Sequence, residues 1–264
     1  MIAMLPTFET FVPPGPAGGA ARRLALVHPE QSGFAWTAHA SSADLAARAP
    51  QTFLSGAELA QAASFRFAGR RETFLLGRWA AKAALGAYLA EPDWTRIELK
   101  RGVFGQPLVN HAANSGAEVS LSHSGGLAVA LAFPREQPLA VDVETVDESR
   151  AATVRSELKL LPEESEWVRS AAVAERAACV LLWTVREALG KALRCGLACP
   201  LELLAVDEIK PLAAGLWASR YRNFSQYRCL SWVRANLVVS VTLPKLTELR
   251  TEAVSTASEV GGGK

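Results

Sequence analysis

Asp142 and Glu144 stand two residues apart in the apolar, β-forming run Leu139-Ala140-Val141-Asp142-Val143-Glu144, and Glu187 and Lys191 stand four apart in the helix-forming run from Trp183 to Lys191. Successive side chains of a strand take opposite faces, so Asp142 and Glu144 share one face while Val141 and Val143 share the other. On a helix, residues four apart are neighbours, which sets Glu187 beside a fixed cation. Magnesium takes oxygen ligands and is usually held by one or two carboxylates together with waters and substrate phosphates. The set therefore predicts a magnesium site built to hold a pyrophosphate, whereas zinc would call for His and Cys.

Taken singly, each piece is ordinary. An Asp-x-Glu at a strand end is usually a solvated edge, and an exposed helix pair such as Glu187 and Lys191 contributes only a few tenths of a kcal/mol. Ser122-His123-Ser124 before Gly125-Gly126 fits a plain hairpin turn. Trp183 fits a core position whatever the function. Ser122 beside His123 raises a hydrolase reading, but no Gly-x-Ser-x-Gly elbow is present, and neither a phosphate-binding Gly-x-x-x-x-Gly-Lys-[Ser/Thr] loop nor a kinase signature occurs.

The elements that must position these residues follow from periodicity. A long amphipathic helix over about 71–89 precedes strands near Ile97, Val119 and Ala128, and a second helix over about 174–193 precedes strands near Leu203, Leu230 and Val239. This order predicts two similar α+β halves with the site in the cleft between them. The two helices align only weakly by residue identity, so the repeat rests on element order. The segment Pro134 to Pro138 marks the junction: residues 1–137 form the N-terminal half, with 1–20 an irregular lead-in, 138–250 form the half that carries the metal site, and 251–264 form a disordered tail.

Bulk properties narrow the class. The chain has 264 residues, half of them apolar, enough for a packed core, and 28 Lys plus Arg against 26 Asp plus Glu leave a net charge of +2. That balance does not mark a nucleic-acid binder. Four cysteines without a CxxC pair, and without histidines at metal-ligand spacing, predict reduced thiols in a cytoplasmic protein. The first residues lack a secretory pattern, and no run reaches the ~18 apolar residues of a membrane span.

Four segments in order resemble the Sfp-type 4'-phosphopantetheinyl transferases: Gly105-Gln106-Pro107, Ser120-Leu121-Ser122-His123-Ser124, Val141-Asp142-Val143-Glu144, and Trp183 to Lys191 followed by Gly196-Leu197-Ala198-Cys199-Pro200-Leu201. Arg71-Glu72-Thr73-Phe74-Leu75-Leu76-Gly77-Arg78 resembles that family's first helix, so the likeness runs from about Phe65 to Leu243; the first sixty residues match less clearly. The resemblance implies an α+β fold of two pseudo-symmetric halves. It also implies magnesium-dependent transfer of the phosphopantetheine arm of coenzyme A to a serine of an apo acyl or peptidyl carrier protein, with release of 3',5'-ADP.

On the same resemblance Asp142, Glu144 and Glu187 hold the metal, Glu187 helps deprotonate the serine, and Lys191 offsets charge on the departing pyrophosphate. Ser122, His123, Gln106, Pro107, Arg71 and Arg78 meet the coenzyme, His123 at its 3'-phosphate. Two positions depart from the family pattern: Gln106 stands where a lysine is common, and Arg186 stands where the helix motif usually has lysine. Neither removes a metal ligand. The resemblance further implies a monomer, and a basic surface at Arg150, Arg155 and Lys159 for acidic carriers. The competing reading is an inactive module that binds coenzyme A or a carrier protein without turnover.

Overall fold

A computed structural model describes residues 4–14, 19–113, 116–196 and 198–251, so residues 252–264 of the expected tail lie outside it. In chain order the first part holds α1 (Phe8–Phe11), β1 (Arg22–Val27), β2 (Gly33–Ser41), α2 (Ser42–Ala46), α3 (Gly56–Ser64), α4 (Ala68–Leu89), β3 (Glu98–Arg101), β4 (Pro107–Asn110), β5 (Ala117–Ser124) and β6 (Leu127–Pro134). The rest holds β7 (Ala140–Thr145), α5 (Glu148–Leu158), α6 (Pro162–Ser170), α7 (Glu175–Ala192), β8 (Val206–Ala213), β9 (Leu216–Tyr221), β10 (Tyr227–Arg234), β11 (Leu237–Pro244) and β12 (Glu248–Thr251).

The described strands form one sheet ordered β12-β1-β2-β6-β5, a second ordered β7-β11-β10-β9-β8, and a β3-β4 ribbon, all antiparallel. Strand alternation builds the layers. Ala128, Ala130 and Ala132 of β6 face α4, where small side chains let the helix lie close, while Val129, Leu131 and Phe133 face the other sheet. In β11, Val238 lies in the core under α7 and Val239, Val241 and Leu243 meet the first sheet. The result is helix, sheet, sheet, helix. Buried on both faces, these strands read as near-continuous apolar runs rather than alternating ones.

The two halves share one plan. In each, the strand before the long helix (β2 or β7) pairs with a strand well after it (β6 or β11), which pairs in turn with its predecessor (β5 or β10). Each long helix is anchored by a buried acid at the start of a short helix. Glu58 of α3 binds Lys82 of α4 and accepts the Leu99 N–H at 3.1 Å; Glu164 of α6 binds Arg186 of α7 and accepts the Val206 N–H at 2.9 Å. This match fixes a helix register that periodicity alone left loose. Trp79-Ala80-Ala81-Lys82-Ala83-Ala84-Leu85-Gly86 then lies over Trp183-Thr184-Val185-Arg186-Glu187-Ala188-Leu189-Gly190, each position 104 residues from its counterpart (183 less 79).

Several elements differ from the sequence expectations. Near Leu203 there is no strand: after Pro200 the chain makes a 3₁₀ turn, Leu201–Leu204, and β8 begins only at Val206. The lead-in contains α1, whose Phe11 packs on Trp232 at 4.7 Å between ring centroids, so this segment contributes to the central core. From the far end of the chain, β12 returns to pair with β1 in the first sheet. All four cysteines are free thiols, and among the described residues no helix is long and apolar enough to cross a membrane.

Candidate active site

The sheets meet where β5, the last strand of the first, lies beside β7, the edge of the second. Serine hydroxyls join the two edges: Ser120 Oγ accepts the Val141 N–H at 3.0 Å and Ser124 Oγ accepts the Thr145 N–H at 3.1 Å. Ser122 donates to Asp142 Oδ1 at 2.7 Å, and Ser124 donates to Glu144 Oε2 at 2.7 Å. Ser120, Ser122 and Ser124 alternate along β5, so one face of that strand supplies all four contacts. The β5–β6 hairpin closes through Gly125 and Gly126, both with positive φ (56° and 76°), as a two-residue type I′ turn requires.

The carboxylates expected to act together converge here. Lys191 Nζ donates to Asp142 Oδ1 at 2.6 Å and to the Val141 carbonyl at 3.3 Å, while Arg150, near the start of α5, pairs with Glu144. Glu187 lies one turn before Lys191 on α7. Its pKa is pushed up from 4.5 to about 7, by burial first and then by the Asp142 charge, with Glu144 adding. Glu144 is also raised, again by burial first and Asp142 second, against the opposing hydrogen bond from Ser124 and the Arg150 charge. Three carboxylates thus crowd a corner supplied with two cations, a pattern typical of functional sites.

Asp142 is 1% exposed, and its Oδ2 is buried without a hydrogen-bond partner. A buried, unpaired carboxylate oxygen is costly unless something meets it. Among the described residues, no group of three or more His, Cys, Asp or Glu side chains is disposed to hold a metal ion as it stands. Lys191 and Arg150 each hold one carboxylate oxygen, of Asp142 and of Glu144. The donor set is all oxygen, as magnesium or manganese requires, and the orphaned Oδ2 faces the same need, so the residues fit a divalent cation.

Two cavities flank Leu121 and Arg78, which line both. One, of about 430 Å³, lies between the β3–β4 ribbon, β5 and the end of α7, with Arg78, Lys100, Arg101, Arg135, Lys191 and Arg194 on its walls. Gln106 and Pro107 line it as well, but Gln106 Oε1 accepts the Phe104 N–H at 3.0 Å, inside its own turn. The other, of about 400 Å³, is bounded by Arg70, Thr73, Phe74, Arg78 and His123.

Adjacent in a strand, Ser122 and His123 take opposite faces, so the structure sends Ser122 to Asp142 and His123 to the second cavity. The His123 pKa is lowered, by partial burial first and then by Lys191. Arg78 reaches the cavities while its Nε stands 3.0 Å from Glu58. Arg71 is not brought to this corner; it is exposed beside a separate depression with Arg48 and Arg66.

Sequence reasoning missed Ser120 and Ser124, although the period-two serines of β5 carried the signal. It also gave Arg150 to the outer surface, where the structure turns its guanidinium inward onto Glu144. Compared with known families, residues 138–242 match the model described as ACPS, the 4'-phosphopantetheinyl transferase superfamily. The match spans β7 to β11 and includes Asp142, Glu144, Glu187 and Lys191. No curated protein matches the chain.

Proposed function

From a chain whose residues 138–242 form a 4'-phosphopantetheinyl transferase superfamily domain, we propose an enzyme that moves the phosphopantetheine arm of coenzyme A onto a serine of an apo acyl or peptidyl carrier protein. The observation that carries this reading is the convergence of Asp142, Glu144 and Glu187 with Lys191 inside the matched segment. In the reaction a bond forms between the serine oxygen and the β-phosphorus of coenzyme A. The bridging P–O bond breaks, and 3',5'-ADP leaves. Such transfers depend on positioning and on neutralising charge at the phosphoryl oxygens.

Glu187 takes the proton of the serine hydroxyl, directly or through water; a carboxyl held near pH 7 suits a base working at neutral pH. Lys191, anchored on the Val141 carbonyl and Asp142, presents its ammonium to the pyrophosphate. Asp142, Glu144 and Glu187 would hold a divalent cation, magnesium by the chemistry of the donors, which when bound polarises the pyrophosphate. The cation-lined cavities on either side of Leu121 receive the coenzyme, with His123 and Arg78 toward its 3'-phosphate. Because β5, β7 and α7 come from one chain, a monomer suffices. Arg155 and Lys159 sit in surface ion pairs with Glu175 and Glu202, weak enough to be exchanged for the acids of a carrier protein.

The test is mass spectrometry of purified apo carrier proteins incubated with the enzyme, coenzyme A and magnesium, with EDTA and Asp142→Ala controls. A phosphopantetheine mass gain that disappears in both controls is expected. No gain across several carriers, with coenzyme A binding intact, would overturn the catalytic reading in favour of an inactive binding module.

A further inference from the structure

Of the two cations at the corner, Arg150 is held by fewer acceptors. Lys191 comes from the last turn of α7 and is tied to two acceptors, Asp142 and the Val141 carbonyl. Among the described residues Arg150 makes one ion pair, with Glu144; its side chain is exposed to the same degree as that of Lys191 (28% against 27%), so what sets it apart is its single acceptor. Its Nε has no hydrogen-bond partner, and the guanidinium lies 5.2 Å from the centre of the Trp183 ring. The backbone N–H of Arg150 is fixed by the Asp147 side chain at 2.8 Å, so the residue is anchored at its base while its head can swing outward.

Without Arg150, Glu144 would stand beside Asp142 with no cation of its own, and unpaired buried charge is strongly destabilising. Yet the same guanidinium sits on the oxygen a metal would need. We propose that Arg150 is an internal stand-in for the divalent cation: it holds Glu144 in the metal-free protein, is displaced when the cation binds, and thereby sets metal affinity. Trp183 backs the guanidinium while it is paired with Glu144. This inference rests on the metal site proposed above.

The test is calorimetric titration of EDTA-stripped protein with magnesium chloride, alongside thermal melts with and without the metal, for the wild type, Arg150→Gln, Arg150→Lys and Asp142→Ala. Arg150→Gln is expected to bind magnesium about tenfold more tightly and to melt lower when metal-free, so that its metal-induced rise in Tm exceeds that of the wild type. Arg150→Lys, which keeps the charge, is expected to stay near wild type in both, showing that the charge at this position sets the difference. Equal or weaker magnesium binding by Arg150→Gln, while Asp142→Ala abolishes it, would overturn the role of Arg150 and leave the metal site standing. No magnesium binding by the wild type would overturn both.

Discussion

Glu187→Gln separates the cost of the crowded carboxylates from their use. The carboxyl ionises near 4.5 when unfolded and near 7 in the metal-free fold, so at about 1.4 kcal/mol per tenfold its ionised form costs the fold about 3 kcal/mol. Between those values the native chain keeps a proton that the unfolded chain has already lost. Metal-free stability therefore falls as pH rises from about 4.5 to about 7 and is level above that. Glutamine keeps the shape and cannot ionise. In EDTA, Glu187→Gln is expected to match the wild type at pH 5 and to exceed it at pH 8 by about 3 kcal/mol, or roughly 6 °C in Tm for a chain of this size. With saturating magnesium the order reverses at pH 8, since the wild type gains a cation that the variant holds poorly. The measurement is differential scanning calorimetry at both pH values with and without the metal. An equal gain at pH 5 would point to packing rather than charge, and no gain at pH 8 would refute the electrostatic account of the corner.

Two other substitutions probe the scaffold. Glu164→Gln leaves the fully buried Arg186 without its carboxylate and is expected to cost about 3–5 kcal/mol in urea unfolding, with Glu58→Gln costing a similar amount through Lys82; a loss under 1 kcal/mol in both would show that the paired acids are not anchors. Gly190→Ala puts a Cβ 2.5 Å from the Gly196 carbonyl, so the loop after α7 must shift away from Lys191. A lower Tm together with a raised KM for coenzyme A is expected, and unchanged values of both would mean that the loop yields at no cost.

The acidic corner was legible because it depends on local periodicity. A strand period of two pairs Asp142 with Glu144 and a helix spacing of four pairs Glu187 with Lys191, wherever the rest of the chain goes. The same period shows why Ser122 and His123 cannot both meet one phosphate from a single strand face. Arg150 was not legible as a partner of Glu144, because that contact depends on how α5, after leaving β7, packs against α7. The strands β1 and β2 were missed for a related reason: β2 is buried on both faces because α4 covers one and the second sheet the other, which local alternation does not announce. Helix similarity looked weak until the buried clamps Glu58–Lys82 and Glu164–Arg186 supplied the register.

That register also gives a physical reason why the acidic set stands in the second half and not the first. Counting 104 residues back from Asp142, Glu144, Glu187 and Lys191 (142 less 38, and likewise for the others) arrives at Ala38, Ala40, Ala83 and Ala87. Ala38 and Ala40 of β2 are buried under α4, and Ala83 is buried on α4 itself, in the same core. The parts both halves share, a tryptophan, a buried acid–cation clamp and a Leu-Gly helix end, are those on which folding depends. The charged set differs because the two strands sit differently. β2 is interior, hydrogen-bonded to β1 on one side and β6 on the other, whereas β7 pairs only with β11 and leaves its second edge to the serines of β5. Carboxylates on β2 would be sealed under α4 with no room for a cation, at a cost of several kcal/mol each. On β7 they meet hydroxyl donors, a lysine and an arginine that can turn aside, and only there does a cluster of negative charge become a place to bind rather than a defect.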